Sequence, residues 1–253
     1  MTRKIALITG ANKGLGKSMA LHLAERNTDI VLTYHSKVEE AEDTILEIEK
    51  LGGKAVTFQL DTGKIETFDT FNNALKEALS ENWDRKDFDF LINNAGLGIN
   101  ASFAETTEEQ FDTLMNVQFK GVFFLTQKLL PLIKTNGGRI LNVSSGLARF
   151  SNPGFSAYAS MKSAIETLTR YLAKELGSKG ITVNVIAPGA IETDFGGGAV
   201  RDNEQLNKVT ASVTALGRVG LPDDIGAAVS SILSEECHWI TGQRIEVSGG
   251  MNL

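Results

Sequence analysis

The sequence predicts an α/β fold, a doubly wound and predominantly parallel sheet of about seven strands with helices on both faces. Short apolar or β-branched runs alternate with helix-length segments along the whole chain. No Pro/Ser-rich linker divides them. Glycine-rich turns follow strand candidates, where an open parallel sheet keeps its ligand sites. The 253 residues, 42% hydrophobic and 22% charged, suffice for a full core, and the chain is read as one domain over 1–253.

Strands are expected in order at 5–8, 30–33, 55–60, 88–92, 139–143, 181–186 and 244–247. Helices with spaced apolar residues are expected between them, at 38–51, 65–79, 108–133 and 157–176, with a further helix opened by the first glycine turn. The patch Gly196-Gly197-Gly198 lies in a Gly-rich, helix-capable segment, 194–216. The opening apolar run stops after four residues at Thr9-Gly10, too short for a signal-peptide core, and no apolar stretch approaches the ~20 residues that cross a bilayer. A cytoplasmic protein is expected. A net charge of −6 gives no electrostatic reason to expect nucleic acid or membrane as a partner. The single cysteine, Cys237, cannot form an internal disulfide, and His22, His35 and His238 have no metal-ligand spacing, so no metal is expected.

The turn Thr9-Gly10-Ala11-Asn12-Lys13-Gly14-Leu15-Gly16 has three readings. Glycine permits a sharp turn and lets backbone N–H groups approach a phosphate at a helix N-terminus. Packing of strand on helix does not need three glycines in seven residues. A phosphate loop is suggested by Gly16-Lys17-Ser18, but Ala11 stands where its first glycine belongs. A dinucleotide site is the third reading, although Met19 breaks the G-x-G-x-x-G spacing that starts at Gly14.

The spacing T-G-x-x-x-G-x-G resembles that of the short-chain dehydrogenase/reductase family, and other motifs agree. Asn93-Asn94-Ala95-Gly96 follows the fourth strand, Asn116, Ser145, Tyr158 and Lys162 fall in the order of the family's catalytic tetrad, and Pro188-Gly189 with Ile191 and Thr193 resembles its loop after the sixth strand. Ile240-Thr241-Gly242 to Gly250 is similar to its C-terminal strand, so the likeness covers essentially the whole chain. The resemblance implies a Rossmann-like fold and a nicotinamide cofactor held by Gly10, Asn12, Lys13, Gly14, Leu15, Gly16, His35, Asp61, Thr62, Asn94, Ala95, Gly96, Pro188, Gly189, Ile191 and Thr193, together with Tyr158 and Lys162.

Tyr158 and Lys162 are four apart on an expected helix and share a face. In isolation they read as a surface tyrosine beside a solvated lysine. A cation ~4 Å from a phenol, at an effective dielectric of ~20, favours phenolate by roughly 4 kcal/mol before desolvation is subtracted. A lowered tyrosine pKa is therefore expected, suited to passing a proton to a carbonyl oxygen. By resemblance Lys162 also holds the nicotinamide ribose, Ser145 hydrogen-bonds the substrate oxygen, and Asn116 serves a water-mediated relay to the lysine. On sequence alone Asn116 reads as a tolerated surface residue and Asp61 as a helix cap. The resemblance gives Asp61 the adenine amino group and Thr193 the carboxamide.

No Asp or Glu stands in Thr33-Tyr34-His35-Ser36-Lys37 after the second strand, and Lys13 is basic, so NADP(H) is preferred, with NAD(H) open. The implied reaction is reduction of a small-molecule ketone or aldehyde, with 194–216 as substrate lid. Phe150, Phe155 and Phe195 read as packing residues in preference to pocket lining. Similarity to 3-oxoacyl-acyl-carrier-protein reductases makes an acyl carrier protein an alternative partner: Lys179 fits its docking pattern, whereas Asn136 departs from it despite Lys134 and Arg139 nearby. A divergent enoyl reductase fits Met161 but not Ile165. The resemblance also implies a homotetramer. The competing class is a nucleotide-binding regulator without activity, for which Tyr158 with Ser145 has no use.

Overall fold

The computed structural model describes residues 3–253; Met1 and Thr2, at the start of the basic flank, lie outside them. Seven strands, β1 (Lys4–Ile8), β2 (Thr28–Tyr34), β3 (Ala55–Gln59), β4 (Phe90–Asn93), β5 (Arg139–Val143), β6 (Thr182–Pro188) and β7 (Arg244–Val247), form one all-parallel sheet in the order β3-β2-β1-β4-β5-β6-β7. The winding reverses between β1 and β4, which opens a crevice beyond their carboxyl ends. Ile8 pairs with both Leu32 and Ile92, so the turns that leave β1, β2 and β4 start side by side.

Side chains alternate across each strand, and both faces of the sheet are covered. Ile5 and Leu7 enter one core with Leu75 and Leu79 of α3 (Phe68–Trp83), Leu125 and Leu129 of α5 (Gly121–Leu129) and Leu176 of α6 (Ser156–Leu176). Ala6 and Ile8 enter the other with Met19 and Leu23 of α1 (Gly14–Glu25), Ile48 of α2 (Val38–Lys50) and Val229 of α9 (Pro222–Ile232). That two-sided burial is why the strands read as unbroken apolar runs.

The helix expected over 108–133 is interrupted. It consists of α4 (Glu108–Met115), a π-helical turn over Asn116–Lys120 and α5, with Pro131 in a closing 3₁₀ turn. Close packing at Gly121 accompanies the break: a Cβ there would lie 1.9 Å from the Thr62 carbonyl oxygen, so the helix runs against the turn after β3. The segment 194–216 holds a tight turn (Phe195–Gly198) and two short helices, α7 (Ala199–Asp202) and α8 (Glu204–Ser212). Gly196, Gly197 and Gly198 all take left-handed φ, between 63° and 78°. Among the described residues no helix is long and apolar enough to cross a membrane, and no three His, Cys, Asp or Glu come together as a metal site.

Candidate active site

The first glycine turn and the Asn-Asn-Ala-Gly turn are one unit across the crevice. Buried Thr9 accepts the backbone N–H groups of Asn94 and Ala95 on its hydroxyl, both at 3.0 Å, and Asn94 Nδ2 donates to the Thr9 and Gly10 carbonyls at 2.9 and 3.0 Å. A Cβ on Gly16 would sit 2.3 Å from the Gly10 oxygen, so only glycine lets α1 start this close to β1. Gly14, at φ +56°, faces Thr193 from the loop after β6, with 3.7 Å left for a Cβ. Lys13 occupies the N-cap of α1 without a side-chain cap, and the first turn holds no acid. An uncapped helix start with a lysine beside it suits a phosphate. Lys13 Nζ lies 2.8 Å from Asp194, which it and Arg201 together hold down to about 2.

The phosphate-loop alternative fails in this arrangement. Lys17 turns to Glu47 on α2 at 2.9 Å, and the buried Ser18 hydroxyl donates to Asp223 at 2.8 Å, so neither faces the turn. Around the ends of β2 and β3, exposed His35 stands 3.6 Å from Asp61, whose other oxygen accepts the Gly63 N–H in a local turn, and Thr62 is buried beneath α5. Glu40 was overlooked by the sequence reading. It enters from the first turn of α2, accepts Asn12 Nδ2 at 2.7 Å and pairs with Lys37 at 2.8 Å, a hydrogen bond that keeps its carboxyl below the ordinary range. Pro188 ends β6, Gly189 N–H reaches the Val247 carbonyl, and Ile191 bridges to Gly220, fixing the loop that carries Thr193. Leu15 packs into the core beneath the first glycine turn.

Ser145, Tyr158 and Lys162 come together at the end of β5. Ser145 is extended (φ −157°, ψ 153°), and its hydroxyl accepts Leu147 N–H at 3.2 Å. Tyr158 and Lys162 are 6% and 5% exposed, so neither is a surface residue. Lys162 Nζ donates to the Val143 carbonyl at 2.8 Å and lies 5.6 Å from the Tyr158 ring centroid. Burial pushes the lysine down to about 7 and raises the phenol, an effect the neighbouring Ser145 hydroxyl partly opposes. The expectation of a lowered tyrosine pKa is therefore corrected: desolvation outweighs the ammonium at this distance.

Asn116 does not join this cluster through any side-chain hydrogen bond among the described residues. It opens the π turn with its Cβ toward Gly63 on the turn after β3. Two residues on, Gln118 is the buried amide of the turn, 1% exposed, donating to the Leu97 carbonyl behind Asn94, Ala95 and Gly96, with its own oxygen unpartnered. A glutamine inside a helical run carries no signal, and the π turn shifts the phase of everything after it. Phe195 also departs from expectation. Its ring is 45% exposed, lies 5.7 Å from the Tyr158 ring and is accommodated by Gly98, where a Cβ would meet it at 2.6 Å. Phe155 flanks the same phenol edge-on at 6.4 Å.

The family profile described as enoyl-(acyl carrier protein) reductase matches residues 10–252. The chain is 35% identical to the hydroxynaphthalene reductase-like protein Arp2 of Metarhizium robertsii, over 99% of this chain and 95% of that protein. It is 34% identical to the tetrahydroxynaphthalene reductase PfmaG of Pestalotiopsis fici, over 98% and 91%. Among solved structures, the promiscuous reductase LugOII, which catalyses keto-reduction at C1 in lugdunomycin biosynthesis, superposes with a TM-score of 0.94 at 35% identity, covering 100% and 99% of the two chains. The angucycline C-6 ketoreductase LanV with bound NADP superposes with a TM-score of 0.92 at 35% identity, covering 98% and 95%.

Proposed function

Because the chain belongs to the short-chain dehydrogenase/reductase family of oxidoreductases, we propose that it is an NADP(H)-dependent reductase that turns a ketone or aldehyde into an alcohol, with Tyr158 as proton donor. One observation carries this reading: a buried phenol and a buried lysine one helical turn apart on α6, brought to the end of β5 where Ser145 stands. When bound, the cofactor supplies the hydride. Tyr158 donates its proton to the carbonyl oxygen as the new C–H bond forms. Ser145 donates a hydrogen bond to the same oxygen and stabilises the charge that develops there. Lys162, when protonated, favours ionisation of the phenol after transfer. Asn116, at the start of the π turn, serves a water-mediated relay to Lys162, and Gln118 holds the turn of Asn94, Ala95 and Gly96 in position.

The residues around the crevice fit the cofactor. Lys13 and the start of α1 would meet phosphate, Asn94, Ala95 and Gly96 a ribose, Asp61 and Thr62 the adenine end, and Thr193 the carboxamide. NADP bound to LanV, together with Lys13, supports NADP(H) over NAD(H), since the nearby Glu40 is neutralised by Lys37. The aromatic surround of Tyr158 and the activities of the relatives favour a fused-ring polyketide ketone as substrate. An acyl-carrier substrate has less support: Lys179 is exposed, but Lys134 faces Asp89 and Arg139 is buried against Glu235 and Ser234. The same proposal includes one domain over 1–253 with a lid at 194–216, a homotetramer, tested by light scattering, and a cytoplasmic location, tested by cell fractionation.

The test is oxidation of NADPH and NADH against hydroxynaphthalenes, polycyclic ketones, aliphatic ketones and 3-oxoacyl thioesters. Turnover with NADPH and a polycyclic ketone is expected. Cofactor binding without turnover of any carbonyl would favour the regulator instead.

A further inference from the structure

The helix face that carries Tyr158 and Lys162 continues one turn further to Glu166, and the three residues, each four apart, form a single stripe on α6. Glu166 Oε1 accepts the Ser144 hydroxyl at 2.7 Å and Arg244 Nε at 2.7 Å. Ser144 immediately precedes Ser145, and its hydroxyl also points to the Lys162 carbonyl at 3.3 Å. Arg244, on β7, directs Nη2 to the carbonyl of Ser145 at 3.4 Å and Nη1 to Glu246 at 2.8 Å. Glu246 is two residues along β7 and so on the same side of the strand, where Arg149 grips both its oxygens at 2.8 Å. Arg149 in turn holds the carbonyls of Met251 and Asn252. Two acids and two bases thus alternate from the C-terminal loop to the catalytic serine.

We propose that Glu166 and Arg244 are positioning residues for Ser145, setting its hydroxyl through the backbone of Ser144–Ser145; this rests on the role given to Ser145 above. Ser145 leaves the sheet in extended conformation and enters a tight turn over Gly146–Ala148, so its only strand pairing is behind it. Its carbonyl accepts Ala148 N–H at 3.1 Å and Arg244, and its neighbour is tied to Glu166. Glu166 and Arg244 have side chains only 14% and 22% exposed, which limits competition from water for these bonds. A hydroxyl displaced by about 1 Å from its working position costs up to about 100-fold in rate, so the brace is read out in turnover rather than in cofactor affinity.

The experiment compares Glu166→Gln, Arg244→Met and Arg244→Lys, each alone and combined with Ser145→Ala, by kcat and KM for ketone reduction, the Kd for NADPH and the melting temperature. Glu166→Gln and Arg244→Met are expected to lower kcat about 10- to 100-fold with NADPH Kd unchanged, Arg244→Lys to recover part of the loss, and none to add to the loss in the Ser145→Ala background. Glu166→Gln keeps the side chain's shape while it removes the charge that pairs with Arg244, so its kcat loss is read in a variant that keeps the fold even where Arg244→Met does not. Unchanged kcat in the single variants, or a loss that adds fully to that of Ser145→Ala, overturns the positioning role. Full activity of Ser145→Ala alone overturns instead the reading of Ser145 on which it rests.

Discussion

Replacing Lys162 by methionine is expected to stabilise the protein at neutral pH while crippling it as a reductase. Burial drives the ammonium down from 10.5 to about 7. A cation whose folded pKa lies below its unfolded value costs stability wherever it is protonated. That cost is complete below pH 7 and is relieved as pH rises toward 10.5. A depression of this size corresponds to a ceiling of about 4–5 kcal/mol. Removing the ammonium also strips the Val143 carbonyl of its donor, which costs about 1 kcal/mol. Lys162→Met should therefore gain about 3 kcal/mol at pH 6.5 and close to nothing at pH 10, read from urea unfolding at the two pH values. A variant equal to or less stable than the parent at pH 6.5, or a gain independent of pH, would refute this account of the buried lysine.

Glu40→Gln removes the carboxylate beside Asn12 and should raise the preference for NADPH over NADH by about two- to fivefold, measured as the ratio of kcat/KM values. A shift toward NADH would put the 2′-phosphate elsewhere. Gly121→Ala sets a methyl 1.9 Å from the Thr62 oxygen and should cost at least about 2 kcal/mol in urea unfolding, a loss that an unperturbed variant would contradict.

The sheet was legible because parallel strands covered on both faces leave apolar runs that stop at turns: the bounds read for 139–143 and 244–247 match β5 and β7, and the others shift by a few residues. The cluster of Ser145, Tyr158 and Lys162 was legible because its spacing is local to one strand end and one helix. What escaped depends on tertiary approach. The π turn accompanies the packing of Gly121 under Thr62, and the buried amide of Gln118 comes with it. Glu40 reaches Asn12 only because α2 folds back over the first turn. Glu166 lies on the face of Tyr158 and was findable from its spacing, but its partner Arg244 lies 78 residues on. Phe195 was read as packing because an aromatic residue is more often buried than poised; its exposed ring over Gly98 depends on three consecutive left-handed glycines.

Proton donation by the phenol is tested most directly in a single turnover of Tyr158→Phe. The variant, with NADPH bound and a reducible polycyclic ketone added, is followed by the loss of reduced-cofactor absorbance in stopped flow. The account predicts an NADPH Kd close to that of the parent and a reduction rate lower by at least about 100-fold. A single-turnover rate equal to that of the parent would contradict it and move the donated proton to another group.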